Sequence, residues 1–477
     1  MNAATDEARK MRRRMNPSSV PMFASKVCCP PERRPRASGA ARKFNGRIPV
    51  SFNRLDVPRR DIARRLKAAL RPEAGRQLPA QLRVQNVGWL AEALPAGVRD
   101  AEFERLIARI DTGPIHTANN VEIYTDGDAA FSSILSAIES ATREILLETY
   151  ILKDDALGHE LVERLGKAAA RGVTVRVLAD AFGSWTISRK FWRRMREIGI
   201  EARLFHPLWA HVLDHLIRDH RKVLVVDRSI SFVGGMNVGN EYGSSRHAKP
   251  GLWRDTHARI EGPTAWELAT VFREGWTRAG GIPFAIPAFQ PADAAGVRTL
   301  VLDSRPGRGY AETASVLAVI VGASRERLWI TNSYFAPRRI AIDLLGRAAQ
   351  RGVDVRLLLP GISDIPLVRH AGHGYFADLL ESGVRIFEYQ PANLHAKTLV
   401  ADDYVTVVGS SNLDFRSFQF NAECNVLILD EDTGQRMTCA FEADLAGSVE
   451  IQLDHWRKRP IAHRFGDAIA RCLSPLL

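Results

Sequence analysis

Cysteine is scarce in this 477-residue sequence. Its five cysteines (Cys28, Cys29, Cys424, Cys439, Cys472) are odd in number and follow no spacing that would close a disulfide framework or hold zinc. A small stapled scaffold is thereby excluded, and a reducing, intracellular setting is expected. Long apolar runs are missing as well. None reaches the ~18 residues that a membrane-crossing helix needs, and the segment MRRRM (11–15) lacks the apolar stretch of a secretory signal. If the chain meets a membrane, it does so from the side.

Evenly spread positive charge is the third absence. The net charge is +12, yet residues 1–76 hold 20 Lys and Arg against 6 Asp and Glu, so the other 401 residues sum to −2. A near-neutral body without a basic stripe counts against a nucleic-acid partner. The basic N-terminus, rich in Arg, Pro, Ser and Ala, has too little periodic apolar content to fold alone and is expected to be a disordered tail over 1–76. Each of its cations near an anionic lipid surface would contribute about 1 kcal/mol. Nucleic acid would attract it equally, and its Arg-rich, acid-poor start also has the composition of an organelle transit peptide.

What the sequence does contain is a repeat. After a helical lead-in over 77–112 (VGWLAEALPAGVRDAEFERLIARID, 87–111), a helical pattern runs into a strand at AFSSILSAIESATREILLETYIL (from 130) and again at TASVLAVIVGASRERLWITNSYF (from 313). LVERLGKAAARGVTVRVLAD (161–180) and LLGRAAQRGVDVRLLLP (344–360) each read as a helix stopped by Gly and followed by an apolar strand. Such alternation predicts an α/β fold of two similar domains, 113–285 and 286–477, related by a pseudo-twofold axis, with mostly parallel strands and helices on the faces. The aperiodic, Gly- and Pro-rich GGIPFAIPAFQPAD (280–293) marks the boundary.

Each half ends its series with the same charged strand. HRKVLVVD (220–227) and HAKTLVAD (395–402) both fit His-x-Lys-x4-Asp, and GGMN (234–237) and GSSN (409–412) follow them at the same interval. Side chains alternate along a strand, so His220 projects with Lys222 and His395 with Lys397. A single copy would read as a strand whose first charges are merely solvated. A second copy with matched Asn237 and Asn412 does not. One His, one Lys and one Asn from each half are six groups suited to a single phosphate, with the small residues of the turns letting backbone N–H groups approach an anion.

These motifs resemble those of the phospholipase D superfamily, over about residues 115–477. The resemblance implies two α/β halves around one active site and a metal-free, cofactor-free mechanism. One histidine attacks phosphorus to give a phosphohistidine, and the other protonates the leaving oxygen and then deprotonates the incoming alcohol. His220 is the implied nucleophile and His395 the acid and base, with Lys222, Lys397, Asn237 and Asn412 stabilising the equatorial oxygens. Asp255 is the expected orienting acid of the first motif and Glu423 that of the second. Asp227 and Asp402, the last motif residues, are expected to support the turn and the lysine.

LLETYIL, WRDTHARIEGP, LLESGVRIFEYQPANLHAKTLVADD and the terminal LSPLL narrow the resemblance to bacterial cardiolipin synthases of this type, in particular a shorter branch without N-terminal membrane helices. Glu148 of LLETYIL matches a recurring acidic position there, at a strand end expected to face the site. The sequence lacks the Asp-rich signature of metal-dependent CDP-alcohol enzymes, so transfer between two phospholipids is favoured. Phosphatidylglycerol and, as a second option, phosphatidylethanolamine are the implied substrates, and the cytoplasmic face of the bacterial inner membrane is the implied peripheral location. The long Arg-rich N-terminus departs from the family. A hydrolase or nuclease acting on other phosphodiesters, and a silent membrane-binding module, remain as alternatives at this point.

His211 and His215 have the i, i+4 spacing of zinc ligands but no third ligand nearby. Phe205, Trp209, Tyr375 and Phe376 suit acyl contacts or, more simply, core packing. Trp456 and AIARCLSPLL suggest an amphipathic terminal helix that either lies on a bilayer or packs on the body.

Overall fold

The computed structural model describes residues 90–110, 113–206, 217–245, 247, 251–287, 295–306 and 310–473. The expected tail (1–76), the start of the lead-in, Trp209, His211 and His215 lie outside them. The rest of the lead-in carries α1 (Ala101–Ala108). It packs Phe103 and Ile107 into the core of the second half.

The first half then runs β1 (Ile115–Tyr124), α2 (Gly127–Ser140), β2 (Glu144–Thr149), α3 (Ala156–Ala170), β3 (Thr174–Asp180), α4 (Arg189–Glu197), β4 (Glu201–Phe205), β5 (Arg218–Asp219), β6 (Lys222–Val226), β7 (Ile230–Gly234), α5 (Asn240–Gly243), β8 (His257–Glu261) and α6 (Pro263–Arg278). The second runs β9 (Val297–Ser304), α7 (Tyr310–Ala323), β10 (Arg327–Asn332), β11 (Phe335–Ala336), α8 (Arg339–Gln350), β12 (Asp354–Pro360), α9 (Pro366–His373), α10 (Phe376–Glu381), β13 (Arg385–Tyr389), β14 (Lys397–Ala401), β15 (Val405–Gly409), β16 (Leu413–Asp414), β17 (Asn421–Leu429), α11 (Glu431–Leu445), β18 (Ser448–Glu450), α12 (Leu453–Arg457) and α13 (Ile461–Leu473). Local chemistry sets the ends of these elements. Asp126, Asp155, Ser188 and Asp430 each accept a backbone N–H at a helix start. After α3 and α8 the chain turns through Gly172 and Gly352 at φ 92° and 94°, a left-handed geometry that favours glycine.

Strand order is β18-β13-β12-β10-β14-β15-β17-β9-β1-β8-β7-β6-β2-β3-β4, with β1 pairing β9 on one side and β8 on the other. The expectation of mostly parallel strands is wrong. Parallel pairing is confined to β2-β3-β4, β10-β12-β13 and the short pairs β5–β17 and β11–β16, and the His-Lys strands β6 and β14 sit in antiparallel company. The reason is the tight hairpin after each motif, which leaves no room for the helical crossover a parallel neighbour requires.

Three apolar layers result. On one outer face of the first sheet, α2, α3 and α4 bury Phe131, Leu161 and Phe191. On the corresponding face of the second, α1, α7 and α8 bury Phe103, Val319 and Leu345. Between the sheets, Leu146, Val223 and Val233 of the first half pack with Val301, Val408 and Val426 of the second, alongside Phe272 and Trp276 of α6. Because this inner layer belongs to both halves, all the described residues form one compact unit. Among the described residues no helix is long and apolar enough to cross a membrane.

Candidate active site

β6 and β14 begin where the parallel strands of each half end, since β6 is antiparallel to β2 and β14 to β10. His220 and His395 therefore stand at the same end of their sheets, and the backbone clamps each to the opposite half. The His220 N–H donates to the Ala422 carbonyl (2.9 Å) and the His395 N–H to the Arg254 carbonyl (2.7 Å). Each acceptor immediately precedes an acid. Glu423 Oε2 lies 3.0 Å from His220 Nδ1, and Asp255 Oδ2 lies 2.7 Å from His395 Nδ1. The expected pairing is thus reversed: Glu423 serves the first motif's histidine and Asp255 the second's. The cause is the way the halves meet, because the start of β17 lies against β5 and the residues before β8 lie against the start of the second motif.

All four groups are buried, and burial governs their charge. It pushes His220 down to about 4 against the pull of Glu423, with Lys222 and Lys397 adding to the shift. His395 is also pushed to about 4 by burial and by Lys397, opposed by Asp255. For the acids, burial alone would raise both. The imidazoles beside them, together with Lys222 and Ser410 at Glu423 and Lys397 at Asp255, hold both below the ordinary carboxylate range. Ionised carboxylates require a donor, so Nδ1 of each ring carries the hydrogen and Nε2 keeps its lone pair.

The lysines lie behind the rings. Lys222 Nζ donates to the His220 carbonyl (2.5 Å), and Lys397 Nζ donates to the His395 carbonyl and sits 2.9 Å from His395 Nδ1. Burial lowers Lys222 to about 7 and Lys397 to about 8. Each histidine feels both lysine charges, so the two motifs share one electrostatic site. Asn237 accepts from the Ile151 N–H (3.0 Å) and donates to the Tyr242 hydroxyl (2.9 Å), and Asn412 accepts from the Ser333 hydroxyl (2.7 Å). With both amide oxygens committed and one Asn237 N–H given to Tyr242, the second N–H of Asn237 and the amide nitrogen of Asn412 are the donors that remain for an anion.

Three expected residues stand elsewhere. Asp227 and Asp402 sit at the far ends of β6 and β14. Asp227 accepts the backbone N–H groups of Thr142, Arg143 and Glu144, and Asp402 those of Arg325, Glu326 and Arg327, all at 2.8–2.9 Å. They secure the hairpins, and neither bonds the lysine, which is a full strand away. Glu148 does not face the histidines either. Thr149 pairs with Lys222, so alternation turns Glu148 to the other face, where it is fully buried 3.3 Å from Arg221. Burial and Asp219 raise its pKa well above normal. Arg221 continues to Asp303 of the second half at 2.5 Å, so Glu148 accepts a hydrogen bond from an arginine whose ion pair ties the halves together.

The site also contains residues the sequence reading missed. Tyr150 packs edge-on against His220 (4.9 Å between centroids), while Tyr242, Trp253 and Tyr334 surround His395 at 5.4, 5.6 and 6.4 Å. Ser410 donates to Glu423 at 2.5 Å. An aromatic residue just past the first strand after each domain's opening helix, in ETYIL and NSYFA, was the available signal. Phe205, Tyr375 and Phe376 are core residues, and Trp456 is buried against Phe376 in α12, separate from the terminal helix. Among the described residues, His370, His373 and Asp467 bring potential ligand atoms together, on α9 and α13. They are engaged with one another and with Glu388 and Arg459.

Two merged α/β halves that each supply a His-Lys strand and orient the other's histidine define a phosphodiester-handling site of the phospholipase D kind. The solved structure of phosphatidylserine synthase from Haemophilus influenzae Rd KW20 shares the fold, with a TM-score of 0.62 at 12% identity over 79% of this chain and all of that one. The family model described as cardiolipin synthase, PLD-like domain, matches residues 134–247 and 317–445, once in each half. The chain is 34% identical over 427 residues to cardiolipin synthase 1 of Bacillus anthracis, covering 87% of this chain and 84% of that one. It is 36% identical over 397 residues to cardiolipin synthase A of Pseudomonas fluorescens, covering 82% of each. The chain belongs to the cardiolipin synthase family of phospholipase D-like proteins.

Proposed function

We propose that this chain makes cardiolipin by transferring a phosphatidyl group from phosphatidylglycerol to a hydroxyl of a second phospholipid. The observation that carries the reading is the crossed pair of carboxylate–imidazole contacts with a buried lysine behind each ring, in a chain of this family. His220 Nε2 attacks phosphorus, and the bond from phosphorus to the departing glycerol oxygen breaks. That oxygen takes a proton from His395. The hydroxyl of the second lipid then gives its proton back to His395 and attacks phosphorus, releasing His220. Lys222, Lys397, Asn237 and Asn412 stabilise the non-bridging oxygens throughout.

One imidazole must be protonated for the first step, whereas burial holds both neutral in the free protein. The phosphodiester anion supplies the missing stabilisation, raising the histidine pKa values as it enters. Substrate binding is therefore accompanied by proton uptake. Phosphatidylethanolamine, whose headgroup carries no hydroxyl, is a candidate alternative phosphatidyl donor with phosphatidylglycerol as acceptor, and the working position is peripheral on the cytoplasmic face of the bacterial inner membrane, with the basic residues 1–76 adding attraction to anionic lipid.

The deciding experiment incubates the protein with labelled phosphatidylglycerol vesicles and, separately, with single-stranded DNA. Cardiolipin and free glycerol are expected, with activity unaffected by chelators. Phosphatidic acid without cardiolipin would make the protein a hydrolase, and cut strands would make it a nuclease. Acid quench followed by peptide mapping should place the phosphatidyl adduct on His220, and an adduct on His395 would exchange the two roles.

A further inference from the structure

The halves agree in a second feature that the chemistry does not use. Phe182 and Trp185 lie two and five residues past Asp180, the last residue of β3. Ile362 and Ile365 lie at the same offsets past Pro360, the last residue of β12. All four are exposed, by 58, 72, 55 and 42%. β3 is parallel to β2 and β12 to β10, so both loops emerge at the histidine end of their sheets.

Each loop is tied to its histidine through a tyrosine. Ser184 donates to the Tyr150 carbonyl (3.1 Å), and Tyr150 packs on His220. On the other side the Tyr334 hydroxyl donates to Asp364 (2.8 Å), and Tyr334 lies edge-on to His395. Because the two histidines share one site, the two apolar loops flank one mouth.

The surroundings say what such loops meet. α4 begins four residues after Trp185 and exposes Arg189, Lys190, Arg193, Arg194 and Arg196. α9 starts directly after Ile365 and carries α13, which buries Asp467 and Ala470 while exposing Ile461, Phe465 and Ile469 along one i, i+4, i+8 stripe, beside exposed Arg464 and Arg471. Apolar tips set among cations match the boundary between anionic headgroups and acyl chains, where the tips enter hydrocarbon and the cations meet phosphate. A polar partner would leave the tips unburied.

We propose that Phe182, Trp185, Ile362, Ile365 and Phe465 form a two-pronged docking face that seats the mouth of the active site on an anionic phospholipid surface. The proposal rests on the lipid-transfer reading above and adds to it the orientation of the molecule.

The test uses the full-length chain, vesicles of phosphatidylcholine and phosphatidylglycerol, and 1 M salt, where screening acts within about 3 Å and tail attraction fades. Trp185→Ser/Ile365→Ser should weaken vesicle partitioning at least about tenfold. It should leave turnover of a dispersed short-chain phosphatidylglycerol within about twofold of wild type, by the same free-energy scale. Wild-type tryptophan emission should shift to the blue on vesicles, and Trp185→Phe should remove most of that shift. Unchanged partitioning in the double variant would overturn the docking face. So would an equal loss of dispersed-substrate turnover, or loss of self-association with vesicle binding intact, which would assign the face to a second copy. A wild-type protein that docks through these residues yet transfers no phosphatidyl group would sustain the face and remove the catalytic reading.

Discussion

Asp255 and Glu423 occupy the same place in the two halves: each lies two residues before the residue that pairs with the glycine opening the turn, His257 with Gly234 and Asn425 with Gly409. Around that shared position the halves differ. Behind Asp255 stands Gly235, where any side-chain carbon would collide with the carboxylate. Behind Glu423 stands Ser410, whose hydroxyl donates to it, while Asn421 adds a second donor at 3.3 Å. The next residue pair diverges too. Asn425 bonds Ser411 through both ends of its amide, whereas His257 is buried with Nδ1 unpartnered. Toward the centre of the site the halves present the same three kinds of group, His, Lys and Asn. The chemistry therefore constrains what faces the substrate, and each half supports its acid in its own way.

The largest effect expected from disturbing this comparison is at the histidines. His220→Ala and His395→Ala should each lower turnover by at least ~10³-fold with the fold intact, because neither imidazole can do the other's work. Retention of more than a few per cent by either would end the two-histidine mechanism.

Next come the crossed acids. Glu423→Gln and Asp255→Asn should each cost about 10²-fold, since the ring loses both its tautomer and its stabilised cation. Histidine NMR sharpens the point: Glu423→Gln should move the resonances of His220 while His395 stays in place, and Asp255→Asn the reverse. The opposite pattern would restore the uncrossed pairing.

Exchanging the supports should act on stability. Gly235→Ser should cost about 1–3 kcal/mol by overpacking against Asp255, and Ser410→Gly about 1 kcal/mol for one lost hydrogen bond, both by chemical denaturation. Equal losses would show that the two acids are supported alike after all.

Acid supplies the most gradual perturbation. The unfolded chain protonates these histidines near 6.5, and the folded one only near 4. Between those values the unfolded state holds more protons, so stability is complete above about pH 6.5 and falls with acidification until about pH 4. The loss is up to roughly 3 kcal/mol per histidine. Glu423 and Asp255, whose folded pKa values are depressed, lose stability in the same direction. Melting curves from pH 7 to 4 on wild type and the two histidine variants should show the variants with the shallower decline.

Much of this was legible in the sequence. The motif strands, their partner turns and the repeat order follow from local spacing, and local spacing is what a sequence displays. The exchange of acids is not local: Glu423 is 203 residues from His220, and Asp255 is 140 from His395. It depends on which strand ends meet when the halves close. Glu148 was misplaced for a related reason, since its face is set by the pairing of Thr149 with Lys222, a register no single strand reveals. The parallel-sheet expectation failed because helix–strand alternation covers only part of each half, and the hairpins β6–β7 and β14–β15 follow a different rule.

The aspartate that closes each motif has a consequence for how variants of this chain would be sorted. Asp227 and Arg228, like Asp402 and Asp403, adopt φ of 50–57°, a conformation unfavourable outside glycine, and the carboxylate compensates by gathering three backbone N–H groups. A motif usually read as one catalytic word therefore has two vocabularies, reactivity at its first letters and assembly at its last. In a deep mutational scan scored for both cellular abundance and activity, changes at His220, Lys222, His395 and Lys397 should fall among proteins that are abundant and inert. Changes at Asp227 and Asp402 should fall among proteins that are scarce, with whatever survives still able to react.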